Sequence, residues 1–283
     1  MQARSAAATL GAFALALLVA GCATGPSAPR ASSGGKAATP LEARGRYEAA
    51  ADAWLKAAAG LQGSRQAEAR LRAAEDYEKA KKPQAAWRAI EPMAISDLPP
   101  KERFDGALTK ARLALAVHRP QDALVALAAA PAPPGRAEQL QFLALKGQVE
   151  FAADDPRTGL ETLVERGTLV TSQDQVLAND RLIWSELGHA SNLPEPQGLS
   201  PTAVGWVKLA RIQRNAWLAP GEFTQQLQAW RIAYPNHPAD YGLLAEIQSR
   251  AASFGSYPAQ VALLLPLSGP YASQGAAVEH GLL

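Results

Sequence analysis

The sequence predicts an all-helical body of stacked helix pairs that gives way, near its C-terminal end, to the first strand and helix of an α/β domain. Three observations predict this. Small residues recur at Ala50, Ala86, Ala123 and Gly159, spaced 36, 37 and 36 apart, and a period of that size is one helix pair of a stacked array. Alanine is abundant, while Phe, Trp and Tyr make up 6% of the 283 residues. That composition favours helices crossing through small side chains over a β-sandwich. Lastly, Val261-Ala262-Leu263-Leu264-Leu265 is apolar without alternation, the pattern of a strand buried on both faces of a parallel sheet.

The first element, residues 1–21, reads as a leader. Arg4 supplies a positive start, and an apolar stretch from about Ala6 to Ala20 follows. The stretch is short for a membrane span and runs directly into Gly, Pro and Ser. Its ending, Val19-Ala20-Gly21-Cys22, resembles a bacterial lipobox, with valine where leucine is commonest. The resemblance implies cleavage before Cys22, a thioether-linked diacylglycerol on its sulfur and acylation of the new N-terminus. Cys22 is the only cysteine, so no intramolecular disulfide forms. Several acyl chains suit the task, because one chain anchors only marginally at about 0.8 kcal/mol per buried methylene. Ala23 follows the cysteine, and not the aspartate that resembles an inner-membrane retention signal, so sorting to the outer membrane is expected.

Residues 22–39 read as a flexible tether by composition. They contain Ser33-Gly34-Gly35-Lys36, an S-x-x-K match to acylating penicillin-binding enzymes. That chemistry needs a rigid helix start and partner motifs, S-D-N and K-T-G, that the sequence lacks. No catalytic residue is assigned.

Residues 40–254 carry the helix pairs. Four residues after each small position comes a large apolar one: Trp54, Ile90, Leu127 and Leu163. Three residues before come Tyr47, Pro83, Pro120 and Pro156, and proline suits a first helical turn. Twelve residues before the later small positions lie Ala74, Ala111 and Gly147, where a preceding helix is expected to cross closely. The run from Gly45 to Ala57 resembles the second helix of a tetratricopeptide repeat. Gly221 to Ala239 also resembles one, with Gln226 replacing the small residue. Lys110 and Lys146 stand where such repeats carry leucine, so the units are TPR-like and not consensus. The register breaks at Ala190 to Pro201, read as a loop between a first stack and a shorter second group.

Trp54, Trp87, Trp184, Trp206, Trp217 and Trp230 read as core at helical spacing. His118, His189, His237 and His280 are isolated, with no H-x-x-x-H pair, so no metal centre is expected, nor any cofactor. There is no G-x-S-x-G, H-E-x-x-H or P-loop, and the chain does not read as an enzyme. A net charge of +2 and the lack of a basic run give no case for nucleic acid.

Residues 255–283 hold the apolar run, then Pro266, the turn Ser268-Gly269-Pro270, and a helix from about Gln274 that Ser273 can cap. The stretch Val261 to Leu283 resembles the opening of the type I periplasmic-binding-protein fold. That resemblance places Ser268 and Gly269 on a loop reaching a ligand cleft. One strand cannot form a parallel sheet alone, so the domain is expected to be incomplete here.

Lipobox, tether, TPR-like helices and then a binding-protein domain is an order that resembles the penicillin-binding protein activator family, the LpoA type of outer-membrane lipoprotein. The resemblance implies a non-enzymatic activator on the periplasmic side of the outer membrane. Its partner would be a class A penicillin-binding protein, a bifunctional peptidoglycan synthase. Two rival readings are a ligand-binding lipoprotein with a helical adaptor and a TPR assembly lipoprotein. Continuation of the sequence into a two-lobed domain would remove the latter.

Overall fold

The computed structural model describes residues 33–215, 220–254, 264–266 and 268–282. Its helices run α1 (Ser33–Glu42), α2 (Tyr47–Ala58), α3 (Gly63–Lys79), α4 (Pro83–Ile90), α5 (Arg103–Ala116), α6 (Pro120–Ala128), α7 (Arg136–Ala152) and α8 (Pro156–Leu169). Then come α9 (Gln173–His189), α10 (Pro201–Asn215), α11 (Pro220–Ala233), α12 (Leu243–Phe254) and α13 (Ala272–Leu282). Short 3-10 turns lie at Ile95–Asp97, Pro100–Glu102 and Pro238–Tyr241. The described residues are all-helical and contain no strand.

The repeat period has its origin in one backbone turn. Gly45, Lys81, His118 and Asp154 all lie in the left-handed region, at φ +67°, +58°, +59° and +63°. The N–H of the following residue, Arg46, Lys82, Arg119 or Asp155, reaches back five residues to Leu41, Tyr77, Ala114 or Glu150 carbonyl oxygen. The left-handed residue's own N–H bonds the carbonyl three residues back. This is the Schellman termination, which satisfies carbonyls that a helix end leaves open. One residue later the next helix starts, at Tyr47, Pro83, Pro120 or Pro156. The three prolines sit at first helical positions, where the missing N–H costs nothing.

Only the first of these turns uses glycine. A side chain in the left-handed region costs roughly 1–2 kcal/mol, partly offset because glycine loses about 0.5–1 kcal/mol more on ordering. His118 is exposed. His118→Gly is therefore expected to raise stability by about 0.5–1 kcal/mol in chemical denaturation, and His118→Val to lower it. A glycine variant no more stable than the valine one would refute the strain argument.

The predicted crossings are in place. Ala50, Ala74, Ala86, Ala111 and Ala123 are fully buried. Gly147 and Gly159 meet where α7 crosses α8. A Cβ on Gly159 would come within 2.9 Å of the Gly147 carbonyl oxygen, and a Cβ on Gly147 within 2.6 Å of the Leu163 side chain.

The two lysines found at leucine positions do polar work. Lys110 donates to the Glu91 and Met93 carbonyl oxygens at the end of α4, a favourable place for a cation. Lys146 pairs with Glu150, whose other oxygen accepts the Thr162 hydroxyl at 2.6 Å. This trio, with Glu150 and Thr162 buried and Lys146 half-buried, ties α7 to α8.

Several expectations are corrected. Helix α1 begins at Ser33, so the tether assigned to 22–39 is helical from Ser33 on, and Ser33 to Lys36 do lie at a helix start. Ala37 and Ala38 are strong helix formers. Ala38 is fully buried, and Glu42 accepts the Trp54 indole N–H at 2.9 Å, so α1 is held by α2. Helix α11 begins at Pro220 and places Gly221 inside the helix, whereas Gly45 precedes α2. The matching offsets of the two segments therefore do not share a register.

The loop between α9 and α10 does not divide the body. One core runs from Ala51 to Val149, and a second from Leu160 to Ile247. The change falls inside the α7–α8 hairpin, and α8 and α9 pack with α10 to α12. Residues 190–200 are pinned across this second core. Arg214 donates to the Leu187, Ala190 and Ser191 carbonyl oxygens, and Arg157 to that of Gln197 at 2.6 Å. Ser200 binds the Glu161 carboxylate through its N–H and hydroxyl, and its oxygen caps α10 at Ala203.

In the tail, Val261 to Leu263 lie outside the described residues. Leu264 and Leu265 are not in a strand, and Leu264 is 97% exposed. An extended segment needs a neighbour for its N–H and C=O groups, and the described residues provide none. Helix α13 starts at Ala272, so Ser273 sits within it and donates to the Gln274 side chain instead of capping.

Candidate functional site

Cys22 lies outside the described residues. Ser268 and Gly269 occupy an exposed turn before α13. Gly269 has φ +82° and open space around its Cβ position. Neither residue lines the cavities of the helical body described below.

Among the tryptophans, Trp87, Trp206 and Trp230 are buried, Trp54 and Trp184 pack half-buried against the cores, and Trp217 lies outside the described residues. His237 is also core. Its ring stands edge-on between Trp206 and Trp230, with centroids 5.0 and 4.9 Å away. Nδ1 accepts the Ala239 N–H, so Nε2 carries the proton and donates to the Thr202 carbonyl oxygen at 3.0 Å. Burial holds its pKa below the usual histidine value. This is a neutral structural histidine, and no group of three or more His, Cys, Asp or Glu able to hold a metal occurs among the described residues.

The second core borders a half-open cavity of about 380 Å³ between α8, α9 and α10. Val164, Val176, Ile183 and Trp206 form apolar wall, and Gln173 stands exposed at the rim. Thr168 and Thr202 also line it, and two of its polar residues, Asn179 and Asp180, are buried, each 2% exposed. Asn179 is satisfied: its Nδ2 donates to the Leu163 carbonyl oxygen at 3.1 Å, and its Oδ1 accepts Arg166 at 2.6 Å. Asp180 has no hydrogen-bond or ion-pair partner among the described residues, and burial raises its pKa to about 7. The Trp206 indole N–H also lacks a partner.

Sequence reasoning missed Asp180, yet the signal is present. Val176, Asp180, Ile183 and Leu187 follow the i, i+4, i+7, i+11 spacing of a buried helix face, and an acid within such a stripe needs a reason.

A groove of about 450 Å³ lies on the first core, between Met93 to Ser96 and α6. Val125 stands 70% exposed at it. The cations beside it, Arg103 and Lys110, already donate to backbone carbonyl oxygens.

The family model described as "LppC putative lipoprotein" matches residues 46–283. The chain belongs to this family. Relatives of this LppC-family chain include proteins named "Penicillin-binding protein activator LpoA". The one from Mannheimia succiniciproducens is 24% identical over 193 residues, covering 66% of this chain and 33% of its own length. The Vibrio cholerae protein is 26% identical over 291 residues, covering all of this chain and 46% of its own. This chain thus spans less than half the length of these curated relatives. Among solved structures, full-length LpoA from Haemophilus influenzae is 20% identical with a TM-score of 0.48, covering 82% of this chain and 44% of that one. Its N-terminal domain is 19% identical with a TM-score of 0.49, covering 70% and 91%. No described helix of the LppC-family chain is long and apolar enough to cross a membrane.

Proposed function

We propose that this LppC-family chain acts as a penicillin-binding protein activator, binding and stimulating a class A, bifunctional peptidoglycan synthase without catalysing a reaction itself. The observation that carries the reading is the family match over residues 46–283, together with relatives named for that activity. In this reading residues 1–21 are removed as a leader. Cys22 is lipidated and held on the periplasmic side of the outer membrane. Residues 22–32 are the tether that remains once α1 is counted as structure. The helix pairs from α1 to α8, with their recurring turn, support a TPR-like solenoid that gives the anchored molecule reach. Residues 255–283 open a periplasmic-binding-protein-like α/β domain in which Ser268 and Gly269 would stand at the cleft loop.

The test is the glycan-polymerising and cross-linking rate of a purified class A synthase, measured with and without this protein. An increase in either rate is expected, and no increase with a synthase from the same cells would overturn the reading. The anchor has its own test. Cys22→Ser is expected to abolish fatty-acid labelling and move the protein from membranes to the soluble periplasmic fraction. Equal labelling of variant and wild type would remove Cys22 as the lipid site.

A further inference from the structure

We propose that the cavity between α8, α9 and α10 is a binding site for a small organic ammonium with an apolar body, held by the Asp180 carboxylate against the Trp206 ring. Four observations on the site lead there. The cavity, at about 380 Å³, falls within the size of small-molecule sites, and its wall is mostly apolar. Asp180 is 98% buried at that wall with no cation and no hydrogen-bond donor reaching it from the described residues. Of the two buried polar side chains at the wall, Asn179 is engaged by Arg166 and the Leu163 carbonyl, which leaves the Asp180 carboxylate open. Trp206, fully buried, supplies an aromatic wall in the same cavity.

The choice of ligand follows from charge. A carboxylate taken out of water is costly unless a counter-charge meets it. Arg166, the cation that reaches the neighbouring Asn179, is spent on that side chain and on the Leu140 carbonyl. An anion would be repelled, and a neutral apolar molecule would fill the cavity yet leave the acid uncompensated. An ammonium supplies the missing charge and up to three donors, and an aromatic face attracts the same cation. Its hydrocarbon part then lies along Val164, Val176 and Ile183. The exposed side at Gln173 and Thr168 gives access.

Calorimetric titration of the full chain at pH 8 with n-hexylammonium chloride tests this, with n-hexanol as the neutral control of equal length. Hexylammonium is expected to bind at least tenfold more tightly than hexanol. Asp180→Asn should weaken hexylammonium at least tenfold and leave hexanol unchanged. Asp122→Asn, at an exposed acid on α6, should change neither. A melting curve of Asp180→Asn checks that the fold is intact, and Trp206→Phe should weaken the cation more than the alcohol. Equal affinity of the cation for wild type and Asp180→Asn, equal affinity of cation and alcohol, or no binding of the cation would each overturn the proposal. Synthase activation is read in a separate assay, so failure here leaves the activator reading standing.

Discussion

Gly147→Leu is expected to cost about 3 kcal/mol of folding stability or more, while Gly188→Ala is expected to add about 0.5–1 kcal/mol. Both glycines are helical, on α7 and α9. At Gly188 a Cβ meets nothing within 4 Å, so alanine brings only its better helix propensity. At Gly147 even a Cβ comes within 2.6 Å of both Cγ and Cδ2 of Leu163, and within 3.2 Å of the Gly159 carbonyl oxygen. Leu163 is fully buried, so it has no space to yield. The longer side chain must therefore push α7 off α8, breaking the Glu150–Thr162 contact as it does so. Urea denaturation of the two variants beside wild type decides the matter. Equal midpoints would show that α7 and α8 do not cross at these glycines.

The second large effect is on pH dependence. Burial raises the Asp180 pKa to about 7, against an ordinary value near 3.8. The folded state then holds a proton that the unfolded state releases from about pH 4 upward. The resulting stabilisation is complete below pH 4 and is lost as pH rises through 7. At full strength such a shift is worth roughly 4 kcal/mol, and about half of that is expected, because the cavity opens to solvent at its rim. Asp180→Asn should remove the Asp180 share of this dependence and be more stable than wild type by about 2 kcal/mol at pH 8. Asp76, raised to about 6 chiefly by burial, contributes in the same sense. His237 works the other way: its lowered pKa means that stability falls as pH drops below the ordinary histidine value. The two slopes separate in the variant, since only the acid-side loss from His237 and the Asp76 effect remain. Identical pH profiles for wild type and Asp180→Asn would refute a strained acid at this position.

What the sequence disclosed and what it withheld divide along the distance over which each feature is determined. The 36-residue period was legible because the turn that makes it is local: a left-handed residue, one linking residue and a proline or tyrosine. Burial of Ala86, Ala111 and Ala123 followed from the same spacing. Helix α1 was missed because Gly34, Gly35 and Pro40 are poor helix formers, and only its contacts with α2 outweigh them. The boundary between the cores was misplaced for a related reason. It depends on α9 meeting residues about sixty positions later, as in the Arg181–Glu246 pair, 65 residues apart. No local pattern reports such a contact. Asp180 stood in plain view on an apolar helix face, but its isolation appears only once α8 and α10 close around it. The apolar run at Val261 to Leu265 was read as a strand from its composition, and its described part, Leu264 and Leu265, forms none.

The change of core inside the α7–α8 hairpin has a mechanical consequence. In a linear array, stability is the sum of each unit's own free energy and its coupling to the next, so the weakest junction is where such a rod bends or frays first. Here the junction between the two hydrophobic cores is not a loop. It is a pair of helices pressed together at Gly147 and Gly159 and tied by Lys146, Glu150 and Thr162. Val149 on one helix serves the first core, and Leu160 on the other serves the second. Neither half can loosen its last helix without exposing the other's wall. The two cores are thus joined through a packed helix pair and not through a connecting loop, so loosening of either half is expected to be felt by the other.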